Sequence, residues 1–106
     1  MGFGLSAQAA ETAKPSKQME QFFSWSKESQ ESHIGNSILM IGVIASQTAP
    51  NIARCIDTWY FTSKALKAKR KAETITVMKK LPQYTPEAII LAVVEKACGK
   101  FKRAAR

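Results

Sequence analysis

The stretch ILMIGVIASQTAPNIARC, residues 38–55, decides how the rest of the chain is interpreted. It belongs to a run of 20 residues, 34–53, that carries no charged side chain. About 20 mainly apolar residues are long enough, as a helix, to cross the hydrocarbon core of a bilayer. The polar residues of the run weigh against a lone helix in lipid. Those residues include Asn36, Ser46, Gln47, Thr48 and Asn51.

Aromatic residues lie on both sides of this run and none lies within it. Trp and Tyr favour the two membrane–water interfaces, so the arrangement favours a membrane-embedded helix between two aromatic belts. The flanking residues are Phe22, Phe23 and Trp25 before the run and Trp59, Tyr60 and Phe61 after it.

The net charge of +8 is unevenly distributed along the 106 residues. Residues 1–53 sum to −1, whereas residues 54–106 hold thirteen basic and four acidic side chains and sum to +9. Such a balance indicates an anionic partner. The positive-inside rule places the basic half on the matrix, cytosolic or stromal side of a membrane.

Local signals predict the remaining elements. Residues 1–15 form an extended arm, and residues 16–31 form a short interfacial amphipathic helix capped by Ser16. Residues 62–106 form a basic helical region with a basic tail. Its first helix stops before Pro82. Its second helix starts with Thr85 as the N-cap and Pro86 at the first helical position, and it ends at Gly99.

The predicted fold class is therefore all-α. One transmembrane helix covers about residues 34–61 and is kinked at Pro50. The short N-terminal helix and two C-terminal helices flank it. A chain organised in this way is not expected to be an independent globular fold, because the membrane helix would pack against partner chains.

Small and polar residues recur along neighbouring sides of the apolar run. In lipid, small residues let helix backbones approach closely, and Gln or Asn can hydrogen-bond across the contact. We therefore expect a helix-packing site that consists of Gly35, Gly42, Ser46, Gln47, Ala49, Asn51 and Ala53.

The sequence KALKAKRKAE, residues 64–73, holds five basic residues within eight positions. It follows the second aromatic cluster directly, where Lys and Arg commonly meet lipid headgroups. A solvated helix face and a phosphate-binding face for nucleic acid are the alternatives. The predicted anionic headgroup site consists of Lys64, Lys67, Lys69, Arg70 and Lys71.

No constellation of catalytic or metal-binding residues is recognisable. In one continuous helix, His33 and Cys55 would be about 33 Å apart and could not act together. Cys55 and Cys98 show no ligand spacing, and we expect two reduced thiols. Arg54 and Asp57 are three residues apart and are expected to form a local ion pair. The sequence predicts no enzyme activity, no cofactor and no metal.

These patterns favour a non-catalytic accessory subunit of a multi-subunit membrane complex. By analogy with other small subunits, we expect a mitochondrial inner-membrane respiratory complex or ATP synthase, with the C-terminal region on the matrix side. The expected partners are other subunits and anionic phospholipid. Nucleic acid is disfavoured because residues 63–82 contain no aromatic side chain to stack on bases. The alternative is a soluble basic helical nucleic-acid-binding protein, such as an organelle ribosomal protein.

Overall fold

The computed structural model describes residues 14–101, which form five α-helices and no β-strand. The helices are α1 (Lys17–Ser24), α2 (Lys27–Thr48), α3 (Pro50–Trp59), α4 (Lys64–Lys80) and α5 (Pro86–Cys98). The predicted all-α class is confirmed for these residues. All but the last two residues of the predicted arm, 1–15, lie outside the described part, and so does the tail after residue 101.

Hydroxyl side chains fix the starts of four helices. Each accepts a hydrogen bond from the backbone N–H three residues further on, which satisfies a donor that has no partner inside the helix. The predicted caps at Ser16 and Thr85 are confirmed, and Gly99 ends α5 with a φ of 102°, which favours glycine. The four capping residues are Ser16, Ser26, Ser63 and Thr85.

The apolar run forms two helices rather than the one kinked helix predicted over residues 34–61. Ala49 leaves the helical region with φ −152° and ψ 73°, and Pro50 starts α3. Proline disfavours a helical conformation in the residue before it and cannot donate the next backbone hydrogen bond. α3 folds back along α2, which brings Tyr60 beside Gly35. The prediction of a single kinked helix was wrong.

No helix within residues 14–101 combines the length and the apolar character needed to cross a membrane. α2 is 22 residues long, but its first ten residues, KESQESHIGN, are mostly polar. Its apolar part then ends at the Ala49 break. The predicted transmembrane segment is therefore not supported by the structure.

The helix predicted over residues 16–31 is also divided, because α1 ends at Ser24 and α2 begins at Lys27. The side-chain amide of Gln30 stabilises this junction. It donates to the backbone oxygens of Phe22 and Trp25 at 3.1 and 3.2 Å. Carbonyl groups at the end of α1, which have no partner inside that helix, are thereby satisfied.

The five helices share one buried core, in contrast to the prediction that the chain is not an independent globular fold. α5 is the central element and contacts each of the other four helices. Burial of apolar side chains is the main favourable contribution to such a fold. The buried apolar residues are Met19, Phe22, Ile34, Ile38, Ala45, Ile52, Ile56, Tyr60, Met78, Ile89, Ile90 and Val94.

The two predicted aromatic belts are instead parts of this core and its edge. Phe22 is fully buried and Tyr60 is 2 % exposed. Trp59 and Phe61 are half-buried and pack against the core. Because α3 returns along α2, the second aromatic cluster lies beside the start of the apolar run and not one membrane thickness away from it.

Cys55 of α3 and Cys98 of α5 form a disulfide, so the prediction of two reduced thiols was wrong. Their Cα atoms are 5.6 Å apart, within the range that a disulfide can bridge. A separation of 43 residues gives no local sign of this pairing. It becomes possible only because α3 and α5 lie side by side.

Candidate functional site

α2 carries an apolar row that no other helix covers. Leu39, Met40, Val43 and Ile44 are 47–59 % exposed, although residues on the opposite side of α2 are fully buried. A helix that is apolar all round normally has neighbours on every side. Here only one side has them within residues 14–101. Contiguous exposed apolar surface of this kind typically marks an interaction site.

A groove of about 740 Å³ runs beside this row, between α2 and α5. Its volume falls within the range typical of binding clefts. α2 lines one wall with apolar side chains, and α5 with the residues after it lines the other. The lining residues are Ser37, Met40, Ile41, Ile44, Glu87, Ile90, Leu91, Glu95, Lys100 and Phe101.

Two carboxylates lie at the groove and are held by contacts within the chain. The Nε2 atom of His33 on α2 lies 2.9 Å from the Oε2 atom of Glu87 on α5, which links the two walls. Glu95 accepts a hydrogen bond from the backbone N–H of Phe101, another lining residue, at 3.3 Å. The groove is therefore mainly apolar, and its charged lining residues are the carboxylates Glu87 and Glu95 and the ammonium group of Lys100.

The chemistry of the groove suits binding. Its polar side chains hold the walls together, and its apolar surface can exclude water from a ligand. Within the part of the chain that the structure describes, no group of three His, Cys, Asp or Glu side chains is placed to hold a metal ion. His33, the one histidine of the chain, is the link to Glu87.

The residues of the predicted helix-packing site have different surroundings in the structure: some contact other helices of the same chain and others are exposed. A Cβ on Gly42 would lie 3.8 Å from Ile56 of α3, and one on Gly35 would lie 3.0 Å from the Tyr60 hydroxyl. Ala49 and Ala53 pack against the core of the same chain. Ser46, Gln47 and Asn51 are exposed. The two glycines thus serve contacts inside the chain, whereas the sequence predicted contacts with a partner helix.

The five basic residues of the predicted headgroup site also differ in their surroundings. Lys64 and Lys69 are exposed on α4. Lys67 lies over the ring of Phe61 and Arg70 over the ring of Trp59, at 5.4 and 5.1 Å from the ring centroids. Lys71 lies beside Gly35.

Arg70 is the most constrained of these side chains. Its Nε atom donates to the backbone oxygen of Trp59 at 2.9 Å, and its guanidinium forms an ion pair with Glu73 at 3.3 Å. A guanidinium stacked on a ring and hydrogen-bonded on its edge has little freedom to bind a phosphate. The structure therefore gives Arg70 a role in holding α4 to the end of α3.

The ion pair predicted between Arg54 and Asp57 does not form. The guanidinium of Arg54 donates instead to the side-chain oxygen of Asn51, one turn earlier on α3. Arg54 is three residues from Asn51 and three residues from Asp57, and either spacing places the two side chains next to each other on a helix. Sequence separation alone therefore did not distinguish the two partners.

The α5 wall of the groove was not identified from the sequence. Leu91 and Glu95 lie on a helix that begins more than 35 residues after the end of α2, and only the fold brings the two walls together. One signal was available: residues 38–45 are apolar on all sides of a helix in a chain too short to cover every side. The chain matches no family model, no curated protein and no solved structure.

Proposed function

We propose that the protein is a non-catalytic accessory subunit that binds an amphipathic helix of a partner protein in the groove between α2 and α5. The observation that carries this proposal is the exposed row formed by Leu39, Met40, Val43 and Ile44, of which Met40 and Ile44 line the groove. Apolar grooves between helices are a common way of recognising the apolar face of another helix.

Desolvation of the row supplies the driving force. Removing apolar surface from water contributes roughly 25 cal/mol per Å². Met40 and Ile44 are one helical turn apart and both line the groove, while Leu91 faces them from α5. Side chains on successive turns of a partner helix can therefore contact α2 and α5 at the same time.

Charge at the rim indicates which helix fits. Glu87 and Glu95 are eight residues apart on α5, which corresponds to about 12 Å along the helix axis. A bound helix with Lys or Arg seven or eight residues apart would place one positive charge near each carboxylate. Such complementarity favours association and fixes the register of the partner. The proposed partner segment is therefore apolar on one face, with basic residues at the part of that face's edge that meets Glu87 and Glu95 and none where it meets Lys100.

The larger assembly predicted from the sequence remains part of this proposal. We propose a mitochondrial inner-membrane complex, of the respiratory-chain or ATP synthase type, as the first assembly to test. The chain would be held there by its partner through the groove, without needing a spanning helix within residues 14–101.

Site-specific photo-crosslinking in the cells that make the protein tests the proposal. A photoreactive amino acid replaces Met40 in the groove, and a matched control carries the same amino acid at Thr76, which is exposed on α4. We expect a discrete protein adduct from position 40 that disappears when Leu91→Glu adds a charge to the opposite wall. Equal adducts from both positions, or an adduct that Leu91→Glu leaves unchanged, would contradict groove binding. Identification of the adduct by mass spectrometry shows whether the partner belongs to a membrane complex.

A further inference from the structure

The start of α1 and the end of α4 meet at one corner of the molecule. The backbone N–H of Ser16 donates to the backbone oxygen of Pro82 at 2.9 Å. The hydroxyl of Ser16 donates to the backbone oxygen of Tyr84 at 3.1 Å. These two bonds join chain segments that are more than 60 residues apart, so the residues on either side of Ser16 lie close to the α4–α5 connection.

Four lysines surround this corner: Lys14 and Lys17 on either side of Ser16, and Lys79 and Lys80 in the last turn of α4. All four are exposed. None of them takes part in an ion pair within residues 14–101. Along the chain, Glu20 in the first turn of α1 follows Lys17 by three residues, and Glu11, which lies outside the described residues, precedes Lys14 by three. The corner therefore holds several positive charges that no carboxylate of the described residues neutralises by contact.

Two exposed side chains with apolar surface follow Lys79 and Lys80 in the connection between α4 and α5. Leu81 and Tyr84 are the ends of one turn, in which the N–H of Tyr84 donates to the oxygen of Leu81 at 3.3 Å. Leu81 is 39 % exposed and Tyr84 is 51 % exposed. An aliphatic side chain beside a tyrosine, with lysines around both, is the composition that favours a membrane–water interface. The lysine stems can lie along the acyl boundary while the ammonium groups meet phosphates.

We propose that this corner binds the surface of an anionic phospholipid bilayer, with Leu81 and Tyr84 entering the headgroup region and the four lysines contacting lipid phosphates. Nucleic acid fits the corner less well. Binding of single strands relies on several aromatic rings that stack on successive bases, and Tyr84 is the one ring at this turn. Leu81 gains nothing from a phosphodiester backbone but does gain from leaving water for the acyl boundary.

The proposed contact differs from the headgroup site predicted at residues 64–71. In that run, Lys67 and Arg70 lie over aromatic rings of their own chain. At the corner, the charged and apolar groups are all exposed, on two chain segments that the hydrogen bonds of Ser16 hold together. The proposal is independent of the groove between α2 and α5, so either can fail without the other.

Co-sedimentation of the full chain with vesicles tests the proposal. The vesicles contain phosphatidylcholine with about 30 % phosphatidylserine, and a second set contains phosphatidylcholine alone. We expect binding to the anionic set that weakens with salt. In the variant Lys79→Gln/Lys80→Gln the partition coefficient should fall about tenfold or more, since each lysine near an anionic surface contributes measurably. Leu81→Ser/Tyr84→Ser should also lower it, at unchanged charge.

Arg54→Gln/Lys96→Gln is the matched control, because it removes two exposed positive charges away from the corner. Circular dichroism confirms the fold of each variant. An equal loss of binding in the control would overturn the proposal, since general electrostatic attraction would then suffice. A loss confined to Lys64→Gln/Lys69→Gln would move the contact to the middle of α4 and would also overturn it. Tighter binding to a single-stranded oligonucleotide than to the vesicles, through the same lysines, would assign the corner to nucleic acid instead.

Discussion

The hydroxyl oxygen of Tyr60 lies 3.0 Å from the position that a Cβ on Gly35 would occupy. This approach occurs between residues 25 positions apart, where the end of α3 reaches the first half of α2. The contact stabilises the chain reversal at Ala49, because the buried ring of Tyr60 packs where α2 presents no side chain. Gly35 thus sits inside a helix, where glycine is otherwise unfavourable, because the Tyr60 hydroxyl lies where a Cβ would be crowded.

Gly35→Ala should therefore have opposite effects in two backgrounds. In a helix interior this change alone favours the folded state by about 1 kcal/mol, whereas crowding against Tyr60 offsets that gain. We expect a neutral or destabilised protein in the wild-type background. In the Tyr60→Phe background, which lacks the crowded hydroxyl, Gly35→Ala should stabilise by about 0.5–1 kcal/mol. Chemical denaturation of the four proteins measures the coupling, and additive effects would contradict it.

Gly42→Leu should destabilise the isolated chain by about 1–3 kcal/mol, because a branched side chain would have to enter the contact with Ile56 on α3. Gln47 on the same helix is exposed, so Gln47→Leu should change the free energy of unfolding little. Urea denaturation compares the two variants. If Gly42→Leu unfolds at the same urea concentration as the wild type, Gly42 does not face α3, and a contact with a partner helix becomes the better explanation.

Reduction of the Cys55–Cys98 disulfide should lower the free energy of unfolding by about 2–4 kcal/mol, because the bond limits the freedom of a long loop in the unfolded chain. Thiol titration in denaturant should detect no free thiol before reduction and two afterwards. Cys55→Ser/Cys98→Ser should match the reduced wild type in stability. Two free thiols in the untreated protein would show that the bond does not form.

Tyr60 should make the stability depend on alkaline pH. Burial raises the pKa of its phenol, so the unfolded chain loses this proton at a lower pH than the folded chain does. The stability that comes from the folded chain's tighter hold on this proton is fully present below the unfolded pKa of about 10. It is lost as pH rises through the pKa of the folded state. In a Tyr84→Phe background, tyrosinate absorbance reports on Tyr60 alone. Tyr60→Phe should remove the alkaline decline in stability that this group causes.

Local chemistry explains which features could be predicted. Ser16, Thr85, Pro86 and Gly99 act on the backbone within a few residues of themselves, so their spacing indicates helix ends wherever the helix packs. Pro50 is more ambiguous. It can kink a helix or start a new one, and the choice depends on whether residues after it find a surface to pack on.

Packing between distant segments accounts for what could not be predicted. The hairpin depends on Tyr60 and Ile56 meeting α2, and the groove depends on α5 lying beside α2. A continuous apolar run is compatible with lipid around it or with helices around it. Hydropathy measures only the preference for leaving water, and it does not specify which neighbour replaces the water.

The bond between Cys55 and Cys98 also encloses α4 in a covalent ring. That ring contains the five basic residues of the KALKAKRKAE segment and both lysines at the end of α4. These are the sites that a trypsin-like protease attacks. A single cut there leaves the two resulting peptides joined through sulfur, with α3 and α5 still tied together. Degradation that starts with a cut in α4 therefore requires a reductant or a second cut before any fragment can leave.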